Sequence, residues 1–385
     1  MKDKPRRIAI NTGSGFLPGM NAVVMGVTMA AAKLGWEVVG IRNGFAGLLE
    51  PGDYPDGGLL PLPPQSVEFM DPAASRVLGH SAWVNPFHMR QVDDDGMVEE
   101  VDRSDELLAA LQQQGIDALV SAVSGRGMSV LYKLHRKGLN VVCIPRSLEN
   151  DIPATMKSFG FSSTLSFTIE MLDRVREAAS SSGQIGVVEV QGEQAGWLAL
   201  QAGMAACADV ILIPELPIDL DAVAEHLRGK MSGPRPSALV VVAEGVELEE
   251  ASASADKPSP MQASLSPLST GEATGFAMQR SGRAAKIVAN RLQLKLAQKT
   301  NPLVLGPWAR GGRPSVDDRQ LGLAYGAGAI RALEAGEDGV MVAFQPPHIA
   351  FVPLLEAINK VRSVPADSEM VLIARTLGIC LGGVQ

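Results

Sequence analysis

Four short stretches of this 385-residue chain set residue types at spacings that suit holding phosphate or moving a proton. Gly13–Gly19 and Ser124–Ser129 (SGRGMS) are glycine-rich turns, each directly behind a run that reads as a buried strand. Such a turn at the start of a helix presents backbone N–H groups and the positive end of the helix dipole, which suits an anion. Neither follows GxxxxGK[ST], and neither fits GxGxxG, since the third glycine of the first turn comes one place late. Glycines that merely permit tight turns give the same pattern. Ser147–Asp151 (SLEND) sets two carboxylates, Glu149 and Asp151, two residues apart just past a predicted parallel strand. Open α/β sheets bind ligands at that end of their strands. One carboxylate there accepts a proton from an attacking hydroxyl while the second tunes it or holds a metal. The other reading is that Asn150 and Asp151 cap the turn ahead of Pro153. Arg310–Pro314 (RGGRP) carries two guanidinium groups about a glycine pair, either a clamp for a sugar phosphate or a plain surface turn. The histidines do not cluster, and His80 and His348 read as ordinary surface or half-buried side chains.

Those groups need rigid elements behind them, and the pattern supplies strand and helix in alternation. Arg7–Asn11 reads as a strand, followed by the first glycine turn, a helix over Ala22–Leu34 and a strand over Glu37–Ile41. The order repeats with a strand at Ala118–Val123, a helix to Arg136 and a strand at Asn140–Ile144. Predicted strands at Ile185–Val190, Val210–Ile213 and Ala238–Ala243 alternate with helices near Thr164–Ala179, Trp197–Ala206 and Asp219–Arg228. A helix over Ser281–Gln298, a strand at Gly339–Ala343 and a helix near Leu354–Val361 follow. This order predicts an α/β fold of mostly parallel sheets with helices on both faces. Residues 250–272, rich in Ala, Ser and Pro without periodicity, read as an exposed insertion loop.

The length predicts two domains or three. A composition of 46% hydrophobic and 20% charged residues is that of a folded chain rather than a disordered one. A net charge of −8 with no long Lys/Arg run argues against sequence-independent nucleic-acid binding. No apolar run approaches membrane-spanning length, and the basic start Met1–Arg7 lacks the apolar segment of a secretory leader. Cys143, Cys207 and Cys380 lie far apart without metal-ligand spacing, so a reduced, cytoplasmic setting is expected.

In chain order, TGSGFLPGMN (Thr12–Asn21), SLENDI with the later FGF (Phe159–Phe161), VVEVQGEQAGWLAL (Val187–Leu200), VVVAEGV (Val240–Val246) and LGPWARGGRP (Leu305–Pro314) resemble motifs of the bacterial phosphofructokinase family. The resemblance covers roughly Arg7 to Val364. It implies a two-domain phosphofructokinase-like fold that transfers a phosphoryl group from ATP or pyrophosphate, with magnesium, to the 1-hydroxyl of fructose 6-phosphate or a related sugar phosphate. The implied donor domain takes residues 1–150 with about 302–345, and the implied sugar-phosphate domain takes 151–301 with 346–385. By the same resemblance Glu149 stands where the base acts on the 1-hydroxyl, with Asp151 as the second catalytic carboxylate. Gly13, Ser14, Gly15, Gly125, Arg126 and Gly127 fall at donor-phosphate positions, and Ser147, Gln191, Gly192, Glu193, Glu244 and Arg310 at substrate positions. The implied assembly is a homo-oligomer, dimer or tetramer, or a hetero-oligomer with an active relative.

Several positions depart from the family pattern. Arg126, or Gly125 in an ungapped alignment, replaces the donor-loop Asp that helps hold magnesium, so no protein metal ligand is expected. Phe16 replaces an Asp, Glu193 a cation, Pro307 a His, and Asn301 and Gln184 each an Arg. Glu149 is one methylene longer than Asp, which moves the carboxylate by ~1 Å, a displacement that costs about 10²-fold in rate unless the backbone compensates. Two expectations follow: a phosphotransferase with altered donor and acceptor sites, or a catalytically impaired paralogue kept for binding, regulation or assembly.

Overall fold

Buried Val, Ile, Leu and Ala runs build the inner strands of the two main sheets of this chain. The computed structural model describes residues 6–383 apart from 14, 76, 80–84, 93–96, 234–235 and 249–281. The expected insertion loop 250–272, His80 and the donor-loop Ser14 therefore lie outside the described residues. The strands are β1 (Arg7–Asn11), β2 (Glu37–Ile41), β3 (Leu59–Pro61), β4 (Met89–Val92), β5 (Val98–Val101), β6 (Ala118–Val123) and β7 (Val141–Pro145). They continue with β8 (Ile185–Val190), β9 (Val210–Leu212), β10 (Ala238–Ala243), β11 (Thr300–Val304), β12 (Val340–Gln345) and β13 (His348–Pro353).

Contacts divide the chain into two units. The first comprises Met1–Ser147, Ile152–Ser163 and Arg310–Lys360, and the second Leu148–Asp151, Thr164–Ala309 and Val361–Gln385. In the first unit a seven-stranded sheet runs β13-β12-β7-β6-β1-β2-β3, parallel except at its two edges. A separate antiparallel pair, β4 and β5, belongs to the same unit. In the second unit a four-stranded parallel sheet runs β11-β8-β10-β9. The fold is thus α/β with mostly parallel sheets. The boundaries read from the sequence run differently. Residues 148–151 fall with the second unit, and β13 stays with the first because it pairs along its whole length with β12.

The first unit is tightened by a helix pair. Helix Met20–Lys33 lies against helix Val316–Glu334, with glycines at the crossing. A Cβ on Gly26 would come within 2.5 Å of the Leu323 carbonyl oxygen, and one on Gly326 within 2.5 Å of the Val23 carbonyl oxygen. Backbone cannot yield as a flexible side chain does. Gly326→Leu is therefore expected to lower stability by about 1–3 kcal/mol or more, read as a fall in the urea midpoint. An unchanged midpoint would contradict this packing.

Two buried carboxylates act as helix caps. Asp318, fully buried, accepts the N–H groups of Gly160 (3.0 Å) and Ser163 (2.6 Å) at the start of helix Phe161–Ser182. Ser315 caps its own helix by accepting the Asp318 N–H at 3.2 Å. In the second unit Glu189, buried on β8, accepts N–H groups from Gly282 and Ala285 at the start of helix Arg283–Leu296. The Glu of the VVEV run is thus a cap that satisfies otherwise orphaned donors.

Candidate active site

In the first unit β1 and β6 are neighbours at the point where the sheet order reverses, with β2 beyond β1 and β7 beyond β6. Ligands of open α/β sheets bind outside the carboxyl ends of the strands at such a point. Both glycine turns stand there. Gly13, at φ 63°, lets the first turn lie against β6, since a Cβ would fall 2.6 Å from the Ala122 carbonyl oxygen. Helix Gly125–Arg136 starts directly after β6, and the Ser124 side chain makes no cap bond to its first turn. The first-turn N–H groups, with the positive helix end, suit an anion. Arg126 lies exposed in that turn, Gly127 is buried, and Phe16 of the first turn is half-buried.

A residue the sequence reading passed over completes this group. Arg146, immediately after β7, is only 6% exposed. One of its guanidinium nitrogens, Nη1, donates to the carbonyl oxygens of Thr12 and Gly15, each at 3.0 Å. Burial pushes its pKa down to about 10, and the neighbouring charge of Arg310 acts in the same sense. Arg310 itself approaches Gly15, where a Cβ would lie 3.7 Å from its Nη1. Two guanidinium groups brought near one glycine turn make a concentrated positive charge, whose self-repulsion an anion relieves. The half-buried Ser147 follows, held by its N–H to the Phe159 carbonyl oxygen at 3.1 Å. The FGF run thus serves as a backbone brace for the turn after β7.

In the second unit the residues past the carboxyl ends of β8 and β10 meet. Glu244 N–H donates to the Val190 carbonyl oxygen at 2.9 Å, and Gly245 N–H to that of Gly192 at 3.0 Å. A Cβ on Gly245 would stand 2.0 Å from the Glu193 carbonyl oxygen, so only glycine permits the contact. With the turn so fixed, the Glu193 N–H donates to Glu149 Oε2 at 3.0 Å. Glu149 is half-buried. Loss of water pushes its carboxyl up to about 8, the charges of Asp151, Glu244 and Glu193 add to the rise, and the Glu193 N–H opposes it. A carboxylate with that value sits close to working pH, as a base needs. Gln191 is buried and its Oε1 has no hydrogen-bond partner among the described residues, leaving an acceptor suited to a ligand hydroxyl. A cavity of about 510 Å³ opens beside Glu244, lined also by Val246, Glu247, Leu248, Arg283 and Ile287.

The sequence-nominated residues therefore form two groups. Gly13, Gly15, Gly125, Arg126, Gly127, Ser147 and Arg310 belong to the first unit. Glu149, Asp151, Gln191, Gly192, Glu193 and Glu244 belong to the second. Asn301 is exposed on β11. Among the described residues no group of three or more His, Cys, Asp or Glu side chains is placed to hold a metal ion. The start of helix Gly125–Arg136 offers N–H groups and a guanidinium, which fit anionic oxygens and do not fit a cation. The first turn of that helix carries no acidic residue.

The phosphofructokinase family profile matches residues 7–333. The chain belongs to the phosphofructokinase family. It is 34% identical over 388 residues to the ATP-dependent 6-phosphofructokinase of Chloroflexus aurantiacus, covering 99% of both chains. It is 32% identical to ATP-dependent 6-phosphofructokinase 3 of Bacteroides thetaiotaomicron, covering 98% of this chain and all of that one. The crystal structure of pyrophosphate-dependent phosphofructokinase from Marinobacter aquaeolei shares the fold, with a TM-score of 0.71 at 19% identity over 97% of this chain and 88% of that one. Among the described residues no helix is long and apolar enough to cross a membrane.

Proposed function

We propose that this protein transfers a phosphoryl group from ATP or pyrophosphate to the 1-hydroxyl of fructose 6-phosphate or a related sugar phosphate, with Glu149 as the base. The observation that carries this is the Glu149 carboxylate, raised to about 8 among three other carboxylates and held by one N–H. Relatives that carry the ATP-dependent name over nearly the full length support the reaction class. In the step, Glu149 takes the hydroxyl proton as the hydroxyl oxygen bonds to the terminal phosphorus of the donor. The bond from that phosphorus to its bridging oxygen breaks, releasing ADP or phosphate. Asp151 raises the basicity of Glu149 through its charge. Gln191, Gly192, Glu193 and Glu244 take the acceptor, while Arg146, Arg310, Ser147, Arg126 and the glycine turns take phosphate charge. Such fixed charges act where negative charge gathers in the transition state.

The test is the pH dependence of kcat/KM, which reports the free enzyme. Glu149 works deprotonated, so the rate is expected to climb as pH rises and to reach half its plateau near 8. A profile flat between about pH 6 and pH 9 would contradict the assignment. The working form is read as a cytoplasmic homo-oligomer, dimer or tetramer, checked by light scattering on the purified protein.

One observation favours a second reading, a binding or regulatory paralogue, free-standing or assembled with an active relative. Arg126 puts positive charge in the first turn of helix Gly125–Arg136, where the family resemblance implies a carboxylate for the metal. A thermal shift with fructose 6-phosphate and no product from either donor would select that reading.

A further inference from the structure

We infer that Arg362, stacked on Trp197, is a positioning residue that holds the Asn150–Asp151 backbone and thereby sets where Glu149 stands. The inference rests on Glu149 as the base of the proposed reaction. The Arg362 backbone N–H donates to the Asp151 carbonyl oxygen at 2.7 Å, and its side-chain Nη1 donates to the Asn150 carbonyl oxygen at 3.2 Å. One residue therefore grips two successive carbonyls of the turn that carries Glu149. The grip opposes relaxation of a conformation that needs holding: Asn150 is buried and sits at φ 56°, in the left-handed region that side chains other than glycine occupy at a cost.

Arg362 is itself fixed. Its guanidinium carbon lies 4.3 Å from the centre of the Trp197 ring, and Trp197 Nε1–H donates to the Arg362 carbonyl oxygen at 2.7 Å. Glu215 ties the two ends of this clamp. Its carboxylate accepts the N–H of Gly196, just before the Trp197 helix, through both oxygens at 3.0 and 3.1 Å. The same carboxylate accepts the N–H of Val364, just after Arg362, at 2.8 Å. All of these residues belong to the second unit. The C-terminal segment thus braces the turn, and the charges that act on Glu149 from around it are Asp151, Glu193 and Glu244. A turn that loosens lets water reach Glu149 and lets the carboxylates move apart.

The experiment uses the full chain and reads the Glu149 carboxyl directly. A ¹³C NMR titration assigns Glu149 as the signal missing from Glu149→Gln. The wild-type midpoint is expected near 8. Arg362→Ala keeps the backbone bond to Asp151 but removes the Nη1 bond to Asn150 and the stacking on Trp197, and in it the midpoint falls by a unit or more toward the ordinary ~4.3. Arg362→Lys, which keeps the charge without the planar fork, restores part of the shift. In the same variants kcat falls about 10-fold or more, with the acceptor KM little changed, as misplacement of a reacting group requires. Trp197→Phe keeps a smaller aromatic ring for Arg362 to stack on and removes the Nε1 donor, so it moves both readouts in the same direction and decides the question if Arg362→Ala does not fold. An Arg362→Ala protein that folds with unmoved midpoint and kcat would overturn the inference. If the wild type turns over no substrate, the proposed function fails, while the titration midpoints still decide the role of Arg362.

Discussion

Glu149→Gln is expected to lower kcat by about 10²–10⁴-fold, the range for losing a positioned base, with the donor KM near its wild-type value. Gln keeps the shape and accepts the Glu193 N–H through its amide oxygen, so the turn stays in place. What disappears is the group that takes the proton. The same substitution has a second consequence that needs no turnover. Glu149 titrates near 8 in the folded protein, against an ordinary ~4.3 when the chain is unfolded. Below the ordinary value both states are protonated and the residue is neutral to stability. As pH rises from there to 8 the unfolded state loses its proton first, so the wild type loses stability across that window. Gln does not titrate. The melting temperature of Glu149→Gln relative to wild type is therefore expected to rise from pH 5 to pH 9, measured by calorimetry in both proteins. Turnover that survives the substitution would remove Glu149 as the base, and a constant melting difference would show that its carboxyl titrates normally.

Arg146→Ala is expected to lower kcat/KM by about 10²–10³-fold, comparable to losing one fixed donor to developing charge, and to raise the donor KM. The residue serves twice. Its Nη1 joins the carbonyls of Thr12 and Gly15, so it shapes the glycine turn as well as charging it. Removing it leaves two acceptors to be satisfied near a buried site, where each charge-assisted hydrogen bond is worth about 1.5–3 kcal/mol. Both the melting temperature and donor affinity should therefore fall together. Arg146→Lys restores charge but not the planar geometry, and only partial recovery is expected. A variant that loses stability while keeping its donor KM would confine Arg146 to bracing the turn.

Much of this arrangement is legible in the sequence because it depends on local chemistry. The strands that carry the turns announce themselves as short apolar runs bounded by glycine, and Glu149 beside Asp151 needs only their spacing. Arg146 is harder. It reads as the polar end of the buried run VVCIP, and its role comes from carbonyls more than a hundred residues earlier in the chain. A lone Arg placed between a buried strand and the SLEND turn was the available signal. Helix Val316–Glu334 is missed for another reason. Its glycines and alanines let it bury much of its circumference, so the polar and apolar faces that mark a surface helix are blurred. The Ser315 cap, with Asp317 and Asp318 in the first turn, does mark its start. The Ser147–Leu148 boundary between units has no local mark, because only contacts distributed along the chain define it. The clamp of Arg362 on the Glu149 turn is likewise a contact between distant segments, joined through two backbone carbonyls that carry no side-chain signature.

The most direct measurement is ³¹P NMR of the protein, purified from a host lacking its own phosphofructokinase and incubated with fructose 6-phosphate and either ATP with magnesium or pyrophosphate. A new phosphomonoester signal on the sugar, with matching release of ADP or phosphate, is the predicted result, and it should vanish with Glu149→Gln. A folded protein that binds the sugar phosphate yet gives no such signal with either donor would contradict the proposed transfer.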